Sequence, residues 1–101
     1  NKPYDINYIT GSKKKHFVAW LANKSSKIKM KIFSNQPGLQ LYTGHKLNFK
    51  SKRKKLSFFQ GLCLETQHFP NSPNQKNFPT TLAIPNKKYR LFTNYKFEKM
   101  I

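Results

Sequence analysis

Lysines alternate with Ile28, Met30 and Ile32 along residues 27–33, the period-two pattern of a strand with one buried face. Residues 16–21 (HFVAWL) form a compact apolar run of strand length, and the polar residues 23–26 between the two segments predict a hairpin. Pro37 and Gly38 fit positions i+1 and i+2 of a type II turn that delivers the chain into a strand over 39–42. Residues 46–55 read as a basic loop. A further strand is expected over 56–66, broken near Gly61. Pro70, Pro73 and Pro79 cannot donate to a ladder, so residues 69–79 are expected to be irregular. The last strand is expected over 89–97, with Tyr89, Leu91, Tyr95 and Phe97 on one face. No segment sustains a helical period and no internal repeat is visible, so the fold class is all-β.

Composition narrows the picture. A chain of 101 residues suits one small domain and is short for a large two-sheet core. No run approaches the ~18 apolar residues that signal a membrane span, and the first residues carry no apolar signal core. The single cysteine, Cys63, excludes an internal disulfide framework, makes the reducing cytoplasm the default compartment, and reads as a small buried apolar residue.

A net charge of +17 raises nucleic-acid binding as a function. The densest cluster is residues 50–55 (KSKRKK), and only Arg53 and Arg90 among the cations are arginines. No RNP, zinc-finger or helix-turn-helix signature accompanies them. The enrichment in Lys, Asn, Phe, Tyr and Ile runs through strands and loops alike, which favours a compositional drift and a solvated surface over one binding face. No specific nucleic-acid partner and no membrane partner is expected.

Against that charge stand three acids, and one of them, Glu65, lies between Leu64 and Thr66 ahead of the proline-pinned loop. Alternation sends Leu62, Leu64 and Thr66 to one face and Cys63, Glu65 and Gln67 to the other. A leucine face can then pack on a core while Glu65 looks into a groove. From pattern alone two readings stand: a catalytic carboxylate, or an edge strand with one solvated Glu.

The stretch Glu65-Thr66-Gln67-His68-Phe69-Pro70, followed by Pro73, Asn74, Phe78 and Pro79, resembles the catalytic-glutamate segment of the aldose 1-epimerase family. Residues 36–44 (QPGLQLYTG) are similar to that family's Gln-Pro-Gly turn and Tyr-Thr-Gly strand end. Residues 4–8 (YDINY) resemble its Asp-His-Asn segment, with Ile6 where the family usually has His. The resemblance covers essentially the whole chain, which then corresponds to the C-terminal third of a family member, residues 1–101 being the last segment of a single domain whose upstream part is absent. It implies a large antiparallel β-sandwich whose concave face holds a hexose.

It also implies a chemistry. Exchanging anomers opens the pyranose ring, which takes a base at the C1 hydroxyl and an acid at the ring oxygen. By the resemblance Glu65 is the base, Asp5 and Gln36 hydrogen-bond sugar hydroxyls, and the acid is an upstream histidine. No metal or cofactor is implied. His16, His45 and His68 fall outside that acid's motif and read as surface or loop residues, His68 near the rim of the site. His and Cys lack zinc-ligand spacing, and a Cys63 nucleophile with His68 as base is disfavoured because residues five apart on a strand face opposite ways. The alternatives are a non-catalytic sugar-binding fragment and a basic module that meets nucleic acid.

Overall fold

The computed structural model describes residues 2–11 and 14–101. Eight strands follow in order: β1 (Asp5–Ile9), β2 (His16–Asn23), β3 (Ile28–Ser34), β4 (Gly38–Tyr42), β5 (Phe49–Lys50), β6 (Lys55–Leu56), β7 (Cys63–Gln67) and β8 (Thr93–Lys99). They form two three-stranded sheets, β1-β4-β7 and β2-β3-β8, with β5-β6 as a small ribbon, and all pairings are antiparallel. The only helical element among the described residues is a single 3-10 turn, Ser72–Asn74. The chain is all-β, consistent with part of an antiparallel β-sandwich. None of its described helices is long and apolar enough to cross a membrane.

The β2–β3 hairpin forms where alternation predicts it. Asn23 closes the turn by accepting the Ser26 N–H on Oδ1 at 3.0 Å, and Lys27 adopts φ 54° to complete the reversal. Across β3 and β8, Lys31 meets Glu98 at 2.9 Å, and the hydrogen bond from Lys31 is the main reason the Glu98 carboxyl titrates below its ordinary range. The pair is half-buried at the sheet surface and still reached by solvent, so its contribution to stability is small.

Few apolar side chains are fully enclosed. Ile32 in the middle of β3 and Leu39 on β4 are buried, whereas Ile6, Trp20, Tyr95 and Phe97 are exposed. The two sheets are tied at their adjoining ends by a short polar link, the 2.6 Å hydroxyl hydrogen bond between Thr66 on β7 and Thr93 on β8, while within the second sheet the Ser34 hydroxyl on β3 donates to the Phe92 carbonyl at 2.7 Å. Thr66 thus faces inward with half-buried Leu64, as the leucine face of that strand predicts.

Four local expectations are corrected. Gly38 is no turn residue: it opens β4, and the positive-φ glycine among the described residues is Gly44, at φ 71°. Residues 46–55 are more than a loop, since β5 and β6 pair across them. Residues 89–92 do not join the last strand, because Asn35 holds them aside. Its Nδ2 donates to the Arg90 carbonyl at 2.8 Å and its Oδ1 accepts the Phe92 N–H at 2.9 Å. Cys63 is exposed rather than buried, because pleating puts it on the same outward face as Glu65.

Candidate active site

Register in the β1-β4-β7 sheet decides which polar side chains meet. Asn7 lies opposite Gln40 and Gln40 opposite Glu65, so the three form one row across the sheet. Asp5, Tyr42 and Cys63 form the row two residues along, and Ile9, Gly38 and Gln67 the row on the other side. Strands alternate sides with period two, so all three rows present one face. That face carries both Asp5 and Glu65, with β4 between them, which sets their strands roughly 10 Å apart.

Gln40 stands in this interval and bonds Asp5. Its Nε2 donates to Asp5 Oδ1 at 2.7 Å, a bond to a charged acceptor. With the amide nitrogen so engaged, Gln40 Oε1 is left buried without a partner, and so is Asn7 Nδ2 in the same row. A buried polar atom without a partner leaves hydrogen-bonding capacity unspent. The face therefore offers an unused acceptor, an unused donor and two carboxylates within three strands.

Gly38 makes room for this arrangement. A Cβ at that position would stand 2.7 Å from Asn7 Oδ1 and 3.1 Å from both the Gln67 carbonyl and Phe69 Cδ1. The Asn7 side chain thus crosses the space a larger residue would take. Beside Glu65, the Cys63 thiol is pushed above its ordinary range, first by burial of its charged form and then by the charge of Glu65 and a hydrogen bond to it. The thiol therefore keeps its proton at neutral pH.

The structure brings Asp5 and Glu65 to one face and leaves Gln36 out of their rows. Gln36 precedes β4 and is 3% exposed, and its Nε2 donates to Asn35 Oδ1 at 3.1 Å rather than toward either carboxylate. The residue that contacts Asp5 is Gln40, which sequence reasoning missed. Both glutamines belong to the QPGLQ stretch, and only the pairing of β4 with β7 separates them. Among the described residues no histidine is hydrogen-bonded to Glu65: His16 bonds the Lys14 carbonyl and the Thr10 hydroxyl, His45 packs edge-on against Tyr42, and His68 lies against Tyr89. Among the described residues no three His, Cys, Asp or Glu gather as metal ligands.

Charge is distributed unevenly about this face. The strands DINYI, GLQLY and CLETQ contain no Lys or Arg at all, although the chain has 20. The lysine enrichment that runs through the rest of the molecule stops at this sheet.

The sequence profile of the aldose 1-epimerase family matches residues 1–96. The chain belongs to the aldose 1-epimerase family. It is 38% identical over 98 residues to the galactose mutarotase of Homo sapiens, an alignment that takes in 93% of this chain and 29% of that protein. The galactose mutarotase of Mus musculus is also 38% identical over 98 residues, with the same coverage. The aldose 1-epimerase of Escherichia coli (strain K12) is 29% identical over 102 residues, covering 95% of this chain and 30% of its own length. This family member thus spans less than a third of the length of the curated relatives it matches. The sequence motifs around Asp5, Gln36 and Glu65 pointed to this family, and the all-β architecture agrees with it.

Proposed function

We propose that this chain supplies the base-bearing face of an aldose 1-epimerase that interconverts the α and β anomers of hexoses such as galactose and glucose. The observation that carries the reading is the single sheet face on which Glu65 stands in register with Gln40, while Gln40 holds Asp5. Glu65 takes the proton from the C1 hydroxyl. The electron pair left on that oxygen forms the carbonyl as the bond from C1 to the ring oxygen breaks, and rotation about C1–C2 followed by reclosure yields the other anomer. Asp5 accepts from ring hydroxyls, and Gln40 Oε1 and Asn7 Nδ2 meet a donor and an acceptor of the same polyol, as oriented polar groups in a sugar site do. In this reading Gln40 takes the sugar-binding role that the sequence motif suggested for Gln36. The ring oxygen also needs a proton donor. No hydrogen bond joins a histidine to Glu65 among the described residues, so that acid comes from outside them. The 101 residues alone therefore lack the full acid–base pair and are expected to be inactive by themselves. We assign the protein to the reducing cytoplasm, in keeping with its one cysteine, the unpaired Cys63.

The test is polarimetry of freshly dissolved α-galactose and α-glucose with the native-length protein and its Glu65→Gln variant. Loss of a general base lowers the rate by ~10² to 10⁴-fold. A Glu65→Gln protein of parental rate would remove Glu65 from the mechanism.

A further inference from the structure

The β2-β3-β8 sheet has two unlike faces. On one, the rows Leu21-Met30-Phe97 and Ala19-Ile32-Tyr95 are wholly apolar, as suits packing. On the other, the rows Phe17-Phe33-Asn94, Trp20-Lys31-Lys96 and Ala22-Lys29-Glu98 set aromatic rings among lysines. Phe17 and Trp20 are three residues apart and would face opposite ways on a regular strand. The register shift between Phe17 and Ala19 brings both to the lysine-bearing face.

These rings are held yet open. Phe17 packs edge-on against Phe33, with ring centroids 5.7 Å apart, while Phe17 and Trp20 remain 50% and 57% exposed. Lys29 Nζ lies 4.6 Å from the centroid of Trp20, and Lys15 Nζ lies 6.0 Å from that of Phe33. Lys15, Lys29, Lys31 and Lys96 stand against a single acid, Glu98, which Lys31 and Lys96 already share, so the face keeps an excess of positive charge. A drift toward Lys, Asn, Phe, Tyr and Ile accounts for the lysines. It does not account for the chain's one tryptophan standing uncovered between them.

From two exposed rings on one face within a surplus of lysines, we infer that this face of the β2-β3-β8 sheet binds single-stranded nucleic acid without sequence preference. One base stacks on Trp20 and another on Phe17, whose rows are roughly 7 Å apart. Lys29 then leaves the Trp20 ring for a phosphate, an exchange that favours binding because a stacked base is worth more than an exposed lysine over a ring. A duplex hides its base faces and offers this surface only phosphates. An acidic peptide offers charge without a ring. The platform lies on the other sheet from Glu65 and does not depend on it.

Fluorescence anisotropy of a labelled oligothymidylate of about 15 nucleotides, titrated with the native-length protein, tests this. Binding should weaken as salt is raised, log Kd rising by roughly 2 to 3 per unit of log salt for three or four phosphates met. Trp20→Leu keeps an apolar side chain without the ring and should weaken binding about fivefold to a hundredfold, and Phe17→Leu should act in the same direction. Lys29→Ala/Lys96→Ala should lower the salt slope by about 1.4. All three variants should keep galactose mutarotation at the parental rate. The proposal is overturned if a duplex of equal length binds as tightly, if polyglutamate competes as well as unlabelled oligothymidylate, or if Trp20→Leu and Phe17→Leu, folded by circular dichroism, both bind like the parent.

Discussion

Replacing Gln40 by Leu removes two things at once: the donor that holds Asp5 at 2.7 Å and the free Oε1 on the same side chain. The bond to Asp5 is charge-assisted but solvent-facing, which puts it at the low end for its class, about 1 to 1.5 kcal/mol. Loss of one hydroxyl contact at Oε1 adds about 0.5 to 1.5 kcal/mol. Together they amount to roughly 1.5 to 3 kcal/mol, a fall in kcat/KM of about 10- to 150-fold. In the proposed site Gln40 meets hydroxyls that stay in place throughout the reaction, so most of the loss should appear in KM and less in kcat.

The assay is initial-rate polarimetry across a range of α-galactose concentrations with the native-length protein, circular dichroism serving as the check that Gln40→Leu folds. Asp5→Ala breaks the same bond from its other end by removing the acceptor. The double variant Asp5→Ala/Gln40→Leu should therefore cost less than the sum of the single losses. Two results would refute the reasoning: a Gln40→Leu enzyme within twofold of the parental kcat/KM, or losses at Asp5 and Gln40 that simply add.

Gly38→Ala would place a methyl 2.7 Å from Asn7 Oδ1 against a Gln67 carbonyl that cannot retreat, so the variant should lose about 1 to 3 kcal/mol of stability in thermal melts. Asn7→Ala in the same protein should recover much of the loss, and a Gly38→Ala melt equal to the parent's would show that the gap is not needed. The Cys63 thiol, raised by burial and by Glu65, has less thiolate at a given pH than a free cysteine, so iodoacetamide should modify it slowly, with a rate-against-pH midpoint above the ordinary thiol value. Removing the neighbouring charge by Glu65→Gln stabilises the thiolate, so the midpoint should fall and the rate at pH 8 rise; an unmoved midpoint would mean that Glu65 is not the neighbour that matters.

Periodicity made the fold class and the β2–β3 hairpin legible, because Ile28, Met30 and Ile32 alternate with lysine and Asn23 brings its own turn chemistry. What it could not supply was register. Gln36 and Gln40 share one motif and one parity, and only the pairing of β4 with β7 selects Gln40 as the residue opposite Glu65. Residues 89–92 carry a strand-like alternation, yet the side chain of Asn35, far away in sequence, takes the backbone groups that a ladder would use. A signal for Cys63 was present: the parity that sends Glu65 outward sends Cys63 with it, and the general preference of cysteine for burial gave way to the pleat. Pro37-Gly38 misled because glycine serves turns and close approach equally well, and here Asn7 makes the second use.

The lysine-free sheet bears on what Glu65 can do. A lysine in either neighbouring row would pair with the carboxylate, favour its ionised form and make it a weaker proton acceptor. It would also occupy the oxygens that a sugar hydroxyl must reach. Instead the positions around Glu65 are filled by Asn7, Gln40 and Gln67, amides that both donate and accept without adding charge, and by a protonated thiol. Gln40 also stands on the strand between Glu65 and Asp5 and donates to Asp5, so the two carboxylates lie on separate strands with a neutral amide between them. Compositional drift alone offers no reason for twenty cations to avoid three strands that together hold two of the three acids. A face that must keep a free base and bind an uncharged polyol does.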